Sequence, residues 1–189
     1  MMKLDLPSRD INIISKMALE QSNGNTQLSD QLRKIKDHSA KMMDSMSDIV
    51  WAINPSNDSF DKTIVRMKEF AAEILEPAGI NYYFTEDERL AGVQLNIESR
   101  KELYMLFKEA VTNAAKYSKA SEVNILFRVL DNSLELTILD NGTGFDIAKA
   151  HGGNGIRNMK NRAAQMDADL RCESIKGTGT SIHVKIPIT

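Results

Sequence analysis

The stretch in which residue type and spacing most directly offer chemistry is Asp140-Asn141-Gly142-Thr143-Gly144-Phe145. The apolar residues of Leu134 to Leu139 alternate as in a strand buried on one face, so Asp140 sits where the chain leaves a sheet. A carboxylate there can accept a hydrogen bond from an amino group of a ligand, while Gly142 and Gly144 permit a sharp turn and the close approach of a flat ring. Alone, Asp-Asn-Gly after a strand reads more simply as a turn. Three further segments add to it. Glu109, Asn113 and Lys116 fall on one strip of a helical pattern, Phe107 to Lys116. Gly152-Gly153-Asn154-Gly155 opens a second helix, whose first amides and dipole favour an anion. Gly177-Thr178-Gly179-Thr180 precedes the last strand.

In this order and spacing the four segments resemble the N, G1, G2 and final Gly-Thr boxes of the GHKL ATPase superfamily, which includes gyrase, MutL and the sensor histidine kinases. Asp48-Ile49-Val50-Trp51-Ala52-Ile53-Asn54-Pro55 is similar to the junction between dimerisation helices and ATPase domain in one histidine kinase subfamily. Only Asp146 to Gly152 separate the two glycine boxes, a short nucleotide lid such as that subfamily carries. The resemblance implies an α+β fold: a Bergerat-type two-layer α/β sandwich preceded by the helical hairpin of a dimeric four-helix bundle. It also implies ATP and Mg²⁺ as ligands. Asp140 would read the exocyclic amine of adenine beside the turn of Gly142 and Gly144, and Thr178 and Thr180 would help hold the base. Asn113 would bind the metal, a hard cation that keeps waters and takes oxygen ligands. Glu109 would polarise the attacking group or order the metal's water. Lys116 would place a cation beside the phosphates, and Gly153 and Gly155 would cradle them. The plainer readings, a solvated Glu-Asn pair on a helix edge and an ordinary surface lysine, stand beside these.

The chain has 189 residues, enough for one average domain and a smaller appendage. Its 24 basic and 26 acidic residues leave a net charge of -2, which gives no electrostatic reason to expect nucleic acid as a partner. With 42% hydrophobic residues the composition suits a packed protein rather than a disordered one. Cys172 is the single cysteine, so an intrachain disulfide and a Cys-rich zinc site are excluded; it reads as a small hydrophobe near a strand. No apolar run approaches a membrane span, and the first residues lack a secretory core. The expected location is cytoplasmic, with no membrane contact by this segment, whether or not the parent protein is anchored.

Two domains are expected, 1–55 and 56–189. A short helix from about Ser8 to Gln21 precedes a longer one, in which Leu28, Leu32, Ile35, Ser39, Met42, Met46 and Ile49 follow a heptad seam. That seam needs a partner, and a homodimer built from two hairpins supplies one. Packing against this chain's own globular part is the alternative. Pro55 stops the helix. Beyond it, Phe60, Ile64, Met67, Ala71 and Ile74 make a helical stripe, followed by a strand at Ile80 to Thr85 and a short extended piece near Gln94 to Ile97. Ser99 with Glu102 reads as a capping box for the helix carrying Glu109 and Asn113. Strands are expected at Glu122 to Leu130, Leu134 to Leu139, Leu170 to Ser174 and Ser181 to Ile188, with a helix at Ile156 to Met166. This mixture argues for helices on one face of a mixed sheet.

The implied activity is that of a sensor histidine kinase: transfer of the γ-phosphoryl group of ATP to a bundle histidine, for relay to an aspartate of a response regulator. Of the three histidines, His183 falls in the last strand, His151 in the lid and His38 on the second helix. The resembling kinases carry their acceptor on the first helix, so the acceptor is expected upstream of Met1 and absent from this chain. Two other classes fit parts of the pattern: a nucleotide-binding regulatory module without transfer, and a GHKL protein-serine kinase, which would not need the heptad helix.

Overall fold

The computed structural model describes residues 18, 26–53, 59–147 and 155–188. The chain divides into two compact units, Met1–Asn54 and Pro55–Thr189. The expected first helix lies outside the described residues apart from Ala18, as do the Pro55 break and residues 148–154, which include most of the lid with His151 and the box residue Gly153.

In the first unit a single helix, α1, runs from Thr26 to Ile53. The heptad-spaced Leu28, Ile35 and Met42 lie exposed on it, together with Met46 and Val50. Leu32 is half-buried and Ser39 buried.

The second unit opens with α2, Phe60–Leu75, whose N-cap Ser59 accepts a hydrogen bond from the Lys62 amide at 3.3 Å. Its stripe of Phe60, Ile64, Met67, Ala71 and Leu75 is buried. Strand β1, Asn81–Glu86, is followed by a 3₁₀ turn at Glu88–Gly92 and no strand near Gln94, because Asn96 already begins the next helix. That helix, α3, spans Ile97–Asn113, and the side chain of Asn96 accepts from the Ser99 amide at 2.7 Å. The expected capping box is therefore corrected: Asn96 is the cap, Ser99 lies inside the first turn, and Glu102 is freed for another contact. After Asn113 the helix widens into a π turn, Ala114–Ser118, and ends at Lys119 in the left-handed conformation.

Strands β2, Glu122–Leu130, and β3, Ser133–Asp140, form a hairpin. Helix α4, Gly155–Gln165, leads to β4, Asp169–Ile175, and β5, Gly179–Pro187. The sheet order is β1-β2-β3-β5-β4, with β1 parallel to β2 and every other pair antiparallel. Alternate residues point to one face, where Val123, Ile125, Phe127, Leu134, Leu136, Ile138, Ile182 and Val184 are buried. Helix α3 packs against both α2 and α4, and α4 also meets β4. The result is the expected α+β two-layer sandwich, with helices covering one face of a mixed sheet.

Candidate functional site

A cavity of about 640 Å³ opens between the helix layer and the end of the sheet. One wall comes from the last row of the sheet register, in which Val123 stands opposite Asp140, Asp140 opposite Thr180, and Thr180 opposite Ser174. Asp140 is 6% exposed, and its Oδ1 accepts the Gly142 amide at 2.9 Å. Among the described residues its other carboxylate oxygen meets no protein donor. A buried carboxylate with an open acceptor needs a donor from outside the chain. Ile182 and Cys172, from the same two strands, continue the wall with apolar surface.

Three close approaches explain the glycines. A Cβ on Gly142 would stand 2.3 Å from the Ser118 carbonyl oxygen, and one on Gly179 would stand 1.9 Å from the Asp140 carbonyl oxygen. Gly144 has φ +56, and its Cβ would come 2.1 Å from the Ile175 carbonyl oxygen. The loop is thus laid tightly across the sheet end. The Ser118 carbonyl takes both the Thr143 amide at 2.7 Å and the Thr143 hydroxyl at 3.1 Å, and the Thr143 carbonyl takes the Gly177 amide at 2.6 Å. Asn141 turns outward and holds the Ser121 and Glu122 amides, each at 3.0 Å, so its role is to pin the start of β2.

The facing wall is made by α3, the π turn and the start of α4. Asn113 Nδ2 donates to Glu109 Oε1 at 3.2 Å, one helical turn away, which leaves the Asn113 amide oxygen to accept other contacts. A Cβ on Gly155 would lie 2.5 Å from that same Glu109 oxygen, so the first turn of α4 presses directly on the Glu-Asn pair. Two oxygen donors of this kind suit a hard cation that keeps most of its waters. They do not suit a caged metal, and no group of three or more His, Cys, Asp or Glu is gathered among the described residues.

Of the residues singled out from sequence, Glu109, Asn113, Asp140, Gly144, Gly155 and Thr180 line this one cavity. Gly142 lies buried beneath the loop and packs on Ser118. Thr178 is exposed in the β4–β5 turn, its amide donating to Ile175, and Lys116 is exposed on the π turn; neither lines the cavity. Gly153 lies outside the described residues. Thr143, Ser118, Met159 and Cys172 also line it. Cys172 is half-buried, and burial pushes its thiol pKa up, with Glu173 adding to the rise and Lys160 opposing it.

A buried acceptor in an apolar slot at one end, with oxygen donors and a helix N-terminus at the other, is a place for an amino-bearing flat ring joined to an anionic group. Comparison with known proteins agrees. Residues 98–189 match the family described as Histidine kinase-, DNA gyrase B-, and HSP90-like ATPase. Sensor histidine kinase LiaS of Bacillus subtilis is 34% identical over 87 residues, 46% of this chain and 24% of that protein. The signal transduction histidine-protein kinase/phosphatase DegS of the same organism is 34% identical over 109 residues, 56% of this chain and 27% of that protein. The chain thus spans about a quarter of the length of these curated relatives. The histidine kinase domain of a blue-light activated kinase from Erythrobacter litoralis shares the fold, with a TM-score of 0.62 at 18% identity over 96% of this chain and 94% of that one. The ATPase family is matched from the start of α3 through β5, and the relatives that match are histidine kinases; these likenesses support a histidine kinase of the GHKL ATPase superfamily.

Proposed function

We propose that this chain is the ATP-binding catalytic portion of a two-component sensor histidine kinase, with 56–189 as the catalytic domain and 1–55 as part of a dimerisation hairpin. The observation that carries the reading is the Asp140 carboxylate, buried with one oxygen unpaired at the apolar end of a cavity whose other end holds Glu109, Asn113 and Gly155. Asp140 accepts the adenine amino group, and Thr180 stands beside it in the same sheet row. Asn113 would hold Mg²⁺ through its amide oxygen, with Glu109 ordering the metal's water. When bound, that ion offsets phosphate charge. The first amides of α4 face the phosphates. Catalysis rests on positioning and electrostatic stabilisation, as for phosphoryl transfer in general.

Lys116 and Thr178 are given only peripheral parts, since both lie exposed outside the cavity. The exposed, heptad-spaced residues of α1 support a homodimer through the hairpin. The proposed receiver of the phosphoryl group is a response regulator, and the proposed setting is the cytoplasm. Among the described residues no helix is long and apolar enough to cross a membrane.

None of this chain's histidines is assigned as the acceptor. His183 Nε2 lies 3.4 Å from Glu135 Oε2 within the sheet, and His38 is exposed on α1, which is expected from sequence to be the second helix of the hairpin. Incubation of the chain with radiolabelled ATP and Mg²⁺ is expected to show binding but no acid-labile label. Labelling that His38→Gln abolishes would overturn the acceptor assignment, and failure to bind ATP at all would overturn the function.

A further inference from the structure

Helices α3 and α4 run antiparallel and touch at two points two turns apart. At the cavity end Gly155 presses on Glu109. Seven residues earlier on α3 is Glu102, and seven residues later on α4 is Arg162; their side chains form an ion pair between Arg162 Nη1 and Glu102 Oε2. Glu102 is only 3% exposed, and its other oxygen takes Lys101 Nζ at 2.8 Å. Between these two points lies Met159, and Ala163 follows just beyond Arg162; both are buried. Apolar contact is non-directional, so it holds the helices together without fixing how far one slides along the other. The ion pair is directional and is set in low-dielectric surroundings, where a missing partner is costly.

We propose that Arg162 is a positioning residue for the phosphate end of the site. Its bond to Glu102 fixes the axial position of α4, and thereby where the first amides of that helix stand beside Glu109 and Asn113. This rests on the nucleotide reading of the cavity. Asp140 and Thr180 belong to the sheet, so the base end does not depend on the clasp. Lys101 still neutralises Glu102 when Arg162 is replaced, which lets a variant fold with the clasp open.

The test compares Mg²⁺ with a non-hydrolysable ATP analogue against adenosine, by calorimetry, in wild type, Arg162→Met and Arg162→Lys. Arg162→Met is expected to weaken the triphosphate about tenfold and adenosine less than twofold, with Arg162→Lys recovering most of the loss. Triphosphate affinity within twofold of wild type, or equal loss for both ligands, overturns the proposal. Amide hydrogen exchange without nucleotide supplies a second arm that does not depend on the ATP reading. In Arg162→Met, residues 155–159 should exchange faster than in wild type while β2 and β3 are unchanged; unchanged exchange at 155–159 likewise overturns it. Wild-type protein that binds neither ligand would instead refute the nucleotide site, leaving the exchange arm to judge the clasp.

Discussion

The two walls of the cavity are held in place by different means. The sheet wall is fixed by backbone: Asp140 and Thr180 occupy paired positions in a ladder, and glycines let the loop after Asp140 lie against Ser118, Ile175 and Gly179. The helix wall is fixed by side chains, through the Asn113–Glu109 hydrogen bond and the Arg162–Glu102 pair. A backbone-built wall has almost no room to relax, whereas a side-chain-built wall can shift and so tune the site. Damage to the first should unfold or empty the site, and damage to the second should change how one part of the ligand is held.

The sharpest test of that contrast pairs two glycines from the same turn. Gly179 has φ +117, and a Cβ there would meet backbone at 1.9 Å; Gly177 has φ +86 with nothing within 4 Å. Gly179→Ala is expected to cost about 3 kcal/mol or more, since strain and a backbone clash combine. Gly177→Ala carries only the left-handed strain, roughly 1–2 kcal/mol. Urea midpoints at unchanged slope measure both. Equal costs would show that the sheet wall yields as easily as an open turn.

A smaller effect separates the walls by ligand. Asp140→Asn keeps the shape but loses the charged acceptor, an expected affinity loss of about 1.5–3 kcal/mol whether or not metal is present. Asn113→Ala is expected to cost roughly 1 kcal/mol with Mg²⁺ and much less without it, because the lost group is the proposed metal ligand. Calorimetry with an ATP analogue in both conditions reads the two. Unchanged affinity in folded Asp140→Asn would remove the base assignment, and equal losses for Asn113→Ala with and without metal would point to a fold defect.

The walls also differ in how far they could be read from sequence. Strand alternation and the Asp140–Gly144 run placed the sheet wall, because a period of two and glycine turns are local signals. Helical spacing put Glu109 and Asn113 on one strip, and their place in the site followed from the resemblance of the four boxes. The π turn after Asn113 did not, since nothing in Ala114-Ala115-Lys116-Tyr117-Ser118 departs from an ordinary helix pattern; assuming a regular helix puts Lys116 one turn beyond Asn113 on the site's face, whereas it lies exposed on the widened turn. Ser118 and Thr143 were missed for a related reason. Their contact joins residues 25 apart through a backbone carbonyl, a link that carries no residue-type signal. Asn96 displaced Ser99 as the cap because both are good caps and tertiary fit decided between them.

The smallest expected effect uses Cys172, which belongs to the sheet wall yet faces the cavity. Its thiol is half-buried, and burial holds its pKa above the usual value, with Glu173 reinforcing and Lys160 weakening the shift. Because only the thiolate attacks, alkylation by iodoacetamide at pH 7 should be slower than for a free thiol, and the rate should keep rising with pH beyond about 8.5, where a free thiol begins to level off. If the cavity takes the nucleotide, a saturating ATP analogue should slow the reaction further without changing the pH at which the rate levels off, since it blocks access and leaves the causes of the shift in place. Mass spectrometry of the single cysteine follows the rate directly. A rate that levels off where a free thiol does would show that the sheet wall is wetter than its packing implies, and a rate indifferent to nucleotide would place the ligand away from Cys172.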